Sequence, residues 1–129
     1  MTEIQNLKQK QMNRNEKKYD LEERTFEFAR DVRRFVKKLT KTLANIEDGR
    51  QLIRSSGSIG ANYIEANESL SKKDFLMRIK ISRKEAKESR FWLRLLDVQA
   101  ELEKEHSYLF NESVEITNIF GAILRKTEG

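Results

Sequence analysis

Three groups of residues in this 129-residue chain have types and spacings that chemistry uses. The first is Glu103-x-x-His106. Four-helix bundles hold paired metal ions with two such Glu-x-x-His pairs and a glutamate from each of two further helices. One copy is present here and His106 is the only histidine, so a two-metal ligand set is incomplete; His106 is expected in an exposed loop. The second group is Ser56-Gly57-Ser58-Ile59-Gly60, close to the Gly-x-Ser-x-Gly elbow that presents a nucleophilic serine at a strand-to-helix turn. It lacks the first glycine, sits within helical periodicity and has one remote histidine to activate it, so a serine hydrolase is not supported. Nor are its glycines spaced as a phosphate-binding loop. The chain has no cysteine, which excludes disulfides, thiolate metal sites and cysteine nucleophiles. No catalytic residue, cofactor or metal is expected.

The third group is basic. The formal net charge is +5, and it is segregated: residues 21–44 and 72–96 are net positive, whereas 45–71 and 97–129 are net negative. Arg30, Arg33, Arg34, Lys37, Lys38 and Lys41 recur on one side of the first positive segment. Arg78, Lys80, Arg83, Lys84, Lys87, Arg90 and Arg94 fill the second. Several Lys and Arg side chains on one accessible surface are what phosphate binding needs. A charge run is also what a solvated helix face looks like, and the acidic segments could simply pair with it. Tyr19, Phe26, Tyr63 and Trp92 are available to stack on unpaired bases, although Tyr63 and Trp92 fit a core better.

Helices must position these groups. There is no proline, five glycines are present, and charged and hydrophobic residues balance at 36% and 37%, which suits amphipathic helices with solvated outer faces. Asp20 followed by Glu22 and Glu23 reads as an N-cap with an acidic first turn. Leu21, Thr25, Phe28, Val32, Phe35 and Leu39 then follow 4-3 spacing along a first helix, with Phe26 off the seam as a candidate subunit contact. A turn is expected over Thr40–Asn45, and a second helix over Ile46–Ser69 with apolar stripes on two sides. Its segment Ser55–Ala66 is rich in small residues, including two glycines that each cost roughly 1 kcal/mol in a helix interior. Ser71 caps a third helix that should reach Leu102, and a fourth should run from His106 or Ser107 to Lys126. The helix-packing residues are expected to be Ser56, Gly57, Gly60 and Ala61 on the second helix against Ser82, Ala86 and Ser89 on the third. Asn62, Glu65, Glu85 and Glu88 lie close to the seams and are expected to fix register by pairing with Arg50, Arg54, Arg83 or Lys84.

Four amphipathic helices with short connections predict an all-α, antiparallel up-down-up-down four-helix bundle over residues 19–129, preceded by a flexible or helical N-terminal arm over 1–18. The start of the chain has no apolar signal region, and no run approaches the roughly 18 apolar residues of a membrane span. A cytoplasmic protein without membrane contact is expected.

Several pieces also match a known family. They are Asp20-Leu21-Glu22-Glu23-Arg24-Thr25 with Phe28-Ala29, Gly49-Arg50-Gln51-Leu52-Ile53-Arg54-Ser55, and Ser58-Ile59-Gly60-Ala61-Asn62-Tyr63 with Glu65-Ala66. Ser71-Lys72-Lys73-Asp74-Phe75, Lys84-Glu85-Ala86, Glu88-Ser89 and Trp92-Leu93 follow in order. With these the chain resembles the four-helix-bundle proteins encoded in intervening sequences of bacterial 23S ribosomal RNA genes. The match spans residues 20–97 and departs at Thr40, where the family pattern has a proline. The resemblance implies a bundle that assembles into a homopentameric ring. It also implies distant kinship with accessory proteins of diversity-generating retroelements, which bind nucleic acid beside a reverse transcriptase. The expected function is a non-enzymatic, oligomeric scaffold that binds RNA or DNA through the basic faces of helices one and three. The alternative is a protein-interaction module with no nucleic-acid role.

Overall fold

The computed structural model describes residues 20–128; the expected N-terminal arm and Tyr19 lie outside the described residues. Among the described residues four helices follow one another: α1 (Leu21–Lys38), α2 (Leu43–Asn67), α3 (Lys72–Leu95) and α4 (Glu103–Glu128), with one 3-10 turn at Ala100–Leu102. Among the described residues there is no strand. Three helix starts are set by side-chain caps: Asp20 accepts from the Glu23 amide, Thr42 from Asn45 and Ser71 from Asp74. Each cap satisfies an amide that the first turn leaves free and contributes about 1 kcal/mol. The Thr42 cap also explains why α2 starts at Leu43, three residues before the apolar stripe begins at Ile46.

The helices form a bundle around one continuous core. Contact is most extensive between α2 and α3, then α3 and α4, then α1 and α2, then α1 and α4. Register is visible in named pairs. Glu22 accepts from Asn67 and Thr25 lies against Gly60, whereas Val36 lies against Gly49. Between α2 and α3, Ser82 donates to the Ile59 carbonyl and Arg54 reaches Glu88. Arg24 forms two hydrogen bonds with Glu112, and Lys38 pairs with Glu105. Phe28, Val32, Phe35, Leu52, Ile59, Ile79, Leu93, Leu109, Ile116 and Phe120 fill the interior. Each such side chain stabilises the fold by about 1.5–3 kcal/mol when fully withdrawn from water.

The third helix is shorter than its periodicity predicts. It ends at Leu95 instead of Leu102, and Leu96 is already extended. The cause lies far away in sequence. The Asn45 amide donates to the carbonyls of Thr40 and Asp97, at 3.0 and 2.9 Å, and its oxygen accepts from the Asp97 amide at 2.9 Å. Gln99 donates to the Lys38 carbonyl and accepts from the Thr40 amide. The α1–α2 turn and the α3–α4 linker are thus stapled together, while Leu96 and Leu102 drop into the core and Ala100 is left on the surface. Asn45→Ala orphans both backbones and should lower unfolding stability by about 1–3 kcal/mol. A denaturant midpoint equal to the parent's would show that the staple contributes nothing.

Candidate nucleic-acid interface

Besides a larger depression of about 780 Å³ on α3, among Lys72, Lys73, Leu76, Met77, Lys80 and Lys84, one basic surface feature lies between α1 and α2. Two adjoining depressions, of about 620 and 520 Å³, share Arg33 and Lys37 and run from the Phe26–Ile64 end to the Lys41–Ile46 end. The floor is apolar: Ala29 and Val36 from α1, and Ile46, Ile53, Gly57, Gly60, Ala61 and Ile64 from α2. Bare glycines form part of it because a β-carbon at Gly60 would meet the Thr25 hydroxyl at 2.8 Å, and one at Gly57 the Arg33 guanidinium at 3.1 Å. The rim is basic, with Arg30, Arg33, Arg34, Lys37 and Lys41 on one side and Arg50 on the other. Among the described residues Glu22 is the only acidic lining residue, and it is engaged by Asn67. Arg30 and Arg34 also approach Asp31, at 3.3 and 4.0 Å. Lys37, Lys41 and Arg50 make no ion pair among the described residues. Lys38 leaves this set, since it pairs with Glu105 on the α4 side.

The other flank of α1 has the opposite character. There the Tyr108 phenol is pushed up by burial and by the nearby carboxylates of Glu112, Asp31 and Glu27. Among the described residues a polyanion therefore meets fewer like charges on the α2 side of α1 than on this flank.

The basic residues of α3 do not extend this groove. The two helices share no extensive contact, so the two basic sets form separate surfaces. Within α3 they also divide. Arg78 donates to Asn62 on α2, Lys80 pairs with Glu128, and Arg83 lies beside Gly121 on α4. Lys84, Lys87 and Arg94 are exposed, and Arg90 is half-buried. Met77, Phe91 and Leu95 are each about half exposed on the same helix, and Leu70 just before it is fully exposed.

The small residues separate into two interfaces. Ser82 and Ser89 face α2, where the Ser55 and Ser89 hydroxyls lie 2.8 Å apart; Ser55 is also within reach of the Leu52 carbonyl and Ser89 of the Glu85 carbonyl. Ala86 and Ser56 are fully buried. Gly57 and Gly60 instead meet α1, and Ala61 is exposed on the groove floor.

Arg54 bridges Glu85 and Glu88 at 3.2 and 2.9 Å. Burial pushes the Glu85 carboxyl above the usual range, against the pull of Arg54. A raised carboxyl favours the protonated fold, so that contribution is complete below the ordinary glutamate range and lost as pH rises through the elevated value. Glu85→Gln should therefore raise the melting temperature at about pH 7 and leave it nearly unchanged at about pH 4, where both side chains are neutral. Equal gains at the two pH values would show that the charge is not what strains the site.

His106 is not the exposed loop residue expected. It lies in the first turns of α4, half-buried, with Nε2 at 2.7 Å from the Leu93 carbonyl and its ring 6.0 Å from that of Phe35. Its Nε2–H closes the carbonyl end of α3. Tyr63 packs edge-on against Phe120, and Trp92 is half-buried against Phe91. Among the described residues no three His, Asp or Glu side chains are grouped to hold a metal ion, and no helix is long and apolar enough to cross a membrane.

The fold has a solved counterpart. A crystal structure at 1.70 Å resolution of a protein with unknown function, from the S23 ribosomal protein family of Bacteroides thetaiotaomicron VPI-5482, superposes with a TM-score of 0.70. The two chains are 30% identical, over 84% of this chain and 98% of the other. No curated protein matches. The model of the 23S rRNA-intervening sequence proteins matches residues 17–122, from before α1 into α4 and across every helix of the bundle. With sequence match and fold in agreement, this chain belongs to the 23S rRNA-intervening sequence protein family.

Proposed function

We propose that this protein is a non-enzymatic, cytoplasmic scaffold that binds RNA or DNA through the basic groove between α1 and α2, and that it works as a homo-oligomer. The observation that carries the reading is the groove rim. Six cations border the two adjoining depressions, and four of them, Arg33, Lys37, Lys41 and Arg50, have no ion pair among the described residues. Unneutralised cations in a row suit a phosphate backbone, whose bound counterions are released on contact. The exposed cations of α3, Lys84, Lys87 and Arg94, provide a second basic surface.

The pairs Glu22–Asn67, Arg54–Glu88 and Lys38–Glu105 support an antiparallel up-down-up-down arrangement. The resemblance to ring-forming relatives supports a pentamer, and the apolar side chains Met77, Phe91 and Leu95 left on the outside of α3 support a subunit contact. By the same resemblance a reverse transcriptase is the candidate protein partner. Those apolar side chains also favour a second reading, a protein-interaction module with no nucleic-acid role.

Fluorescence anisotropy with a labelled generic RNA separates the two. Binding that is clear at ~50 mM salt and falls steeply by ~200 mM supports the scaffold reading, and no binding at the lower salt removes it. Light scattering should give a multiple of the 15.3 kDa chain mass; a monomer would remove the oligomer.

A further inference from the structure

The groove between α1 and α2 is more than a row of cations, and its floor narrows the kind of nucleic acid that fits. We propose that it takes a single strand, with the phosphates on the Arg30–Lys41 rim and the bases turned onto the apolar floor. The inference rests on the nucleic-acid reading above and specifies its ligand.

Three features point to a single strand. First, a duplex keeps its base faces within its own stack and offers a protein surface mainly phosphates, for which a polar floor would serve as well. Here the floor is built from Ala29, Val36, Ile53, Ala61 and Ile64. Unpaired bases gain from leaving water against such a floor. Second, the groove has an aromatic platform. Phe26 is 57% exposed at one end, and the Arg30 guanidinium lies over its ring at 5.9 Å from the centroid. An aromatic ring and a guanidinium plane together are what base stacking uses in single-strand sites. Third, Arg33 is held inside the groove by Gly57 and by one donated bond to the Ala29 carbonyl at 3.0 Å. Its other N–H groups stay available to phosphate or to base edges. The helical stretch from Phe26 to Lys38 is about 18 Å long, room for a few splayed nucleotides.

The test compares a labelled single-stranded RNA of about 12 nucleotides with the same sequence annealed as a duplex, by anisotropy at fixed salt. The single strand should bind at least about tenfold more tightly. Phe26→Ala should weaken the single strand by about fivefold or more and leave the duplex unchanged. Phe26→Tyr should restore binding, whereas Phe26→Leu, apolar but without a ring face, should not. Phe26 is mostly exposed, and matching melting curves confirm that each variant is folded. Equal or tighter duplex binding overturns the inference but leaves the nucleic-acid reading intact. So does a Phe26→Ala loss shared equally by both ligands. Binding of neither ligand removes both. If Phe26→Ala lowers the assembled mass without altering RNA affinity, the groove seats a second copy of this chain and the inference fails.

Discussion

Replacing Lys37, Lys41 and Arg50 together by glutamine is expected to cut RNA affinity on the order of a hundredfold at ~50 mM salt. All three are exposed, and none has an ion pair among the described residues, so the fold loses no partner when their charges go. Glutamine keeps a good helix-former at Lys37 on α1 and at Arg50 on α2, and Lys41 lies in the turn between them. Each lost phosphate contact lowers the dependence of log affinity on log salt by about 0.7 for a single strand, so the slope should become shallower by about 2. The slope is the decisive measurement, because a damaged fold lowers affinity without that change of slope. The parallel neutralisation of Lys84, Lys87 and Arg94 on α3 acts as an internal comparison, since the two basic surfaces lie apart. If the α3 variant loses the binding and the groove variant keeps it, the interface has been placed on the wrong side of the bundle.

Gly60→Leu should cost about 3 kcal/mol or more, the upper end of what overpacking does. The Thr25 hydroxyl sits 2.8 Å from where a β-carbon would be, and Thr25 is wholly buried. It cannot turn away easily. Threonine is stiff about its first side-chain torsion, and this hydroxyl donates toward the carbonyls of Leu21 and Glu22 at 2.9 Å. A leucine therefore forces α1 away from α2, with a melting temperature lower by about 10 °C for a domain of this size. The sharper version uses alanine. Gly60→Ala gains about 1 kcal/mol in helix propensity yet meets the same hydroxyl, so the clash should win. In a Thr25→Ala background the 2.8 Å contact is gone and only the β-carbon of residue 25, at 3.3 Å, stays close, so the same substitution should cost clearly less. The difference in this double-mutant cycle isolates the hydroxyl contact. If Gly60→Ala stabilises the parent chain, α1 and α2 are not held as closely as the geometry implies.

Much of the fold is legible in the sequence, for local reasons. Asp20, Thr25, Phe28, Val32 and Phe35 carry a cap and a 4-3 seam within a single helix, and α1 forms where they place it. The Ser71 cap works the same way for α3. What the sequence hides is set by distant partners. Nothing near Leu95 signals a helix end, because the end is imposed by Asn45 and Gln99 reaching across the bundle. The stretch Ser55–Ala66 announces close packing but not its direction. Successive helical positions face different neighbours, so Ser55 meets Ser89 while Gly60 meets Thr25. For the candidate site, the basic residues of α1 are plain in the sequence, but the apolar stripe of α2 that completes the groove reads equally well as core. The contribution of Arg50 follows only from the pairing of α1 with α2.

The staple at Asn45 makes the two ends of the bundle unequal for engineering. At one end, a foreign segment inserted near Asp97 would break both bonds from Asn45 and pull Leu96 from the core. At the other, Leu70 is fully exposed between the Ser69 amide, which bonds back to Ala66, and the Ser71 cap. Among the described residues it holds no tertiary hydrogen bond, and surface turns of this kind accept insertions best. A reporter or tether spliced in at Leu70 would leave the bundle closed and stand at the end opposite the staple, away from the Lys41 end of the groove.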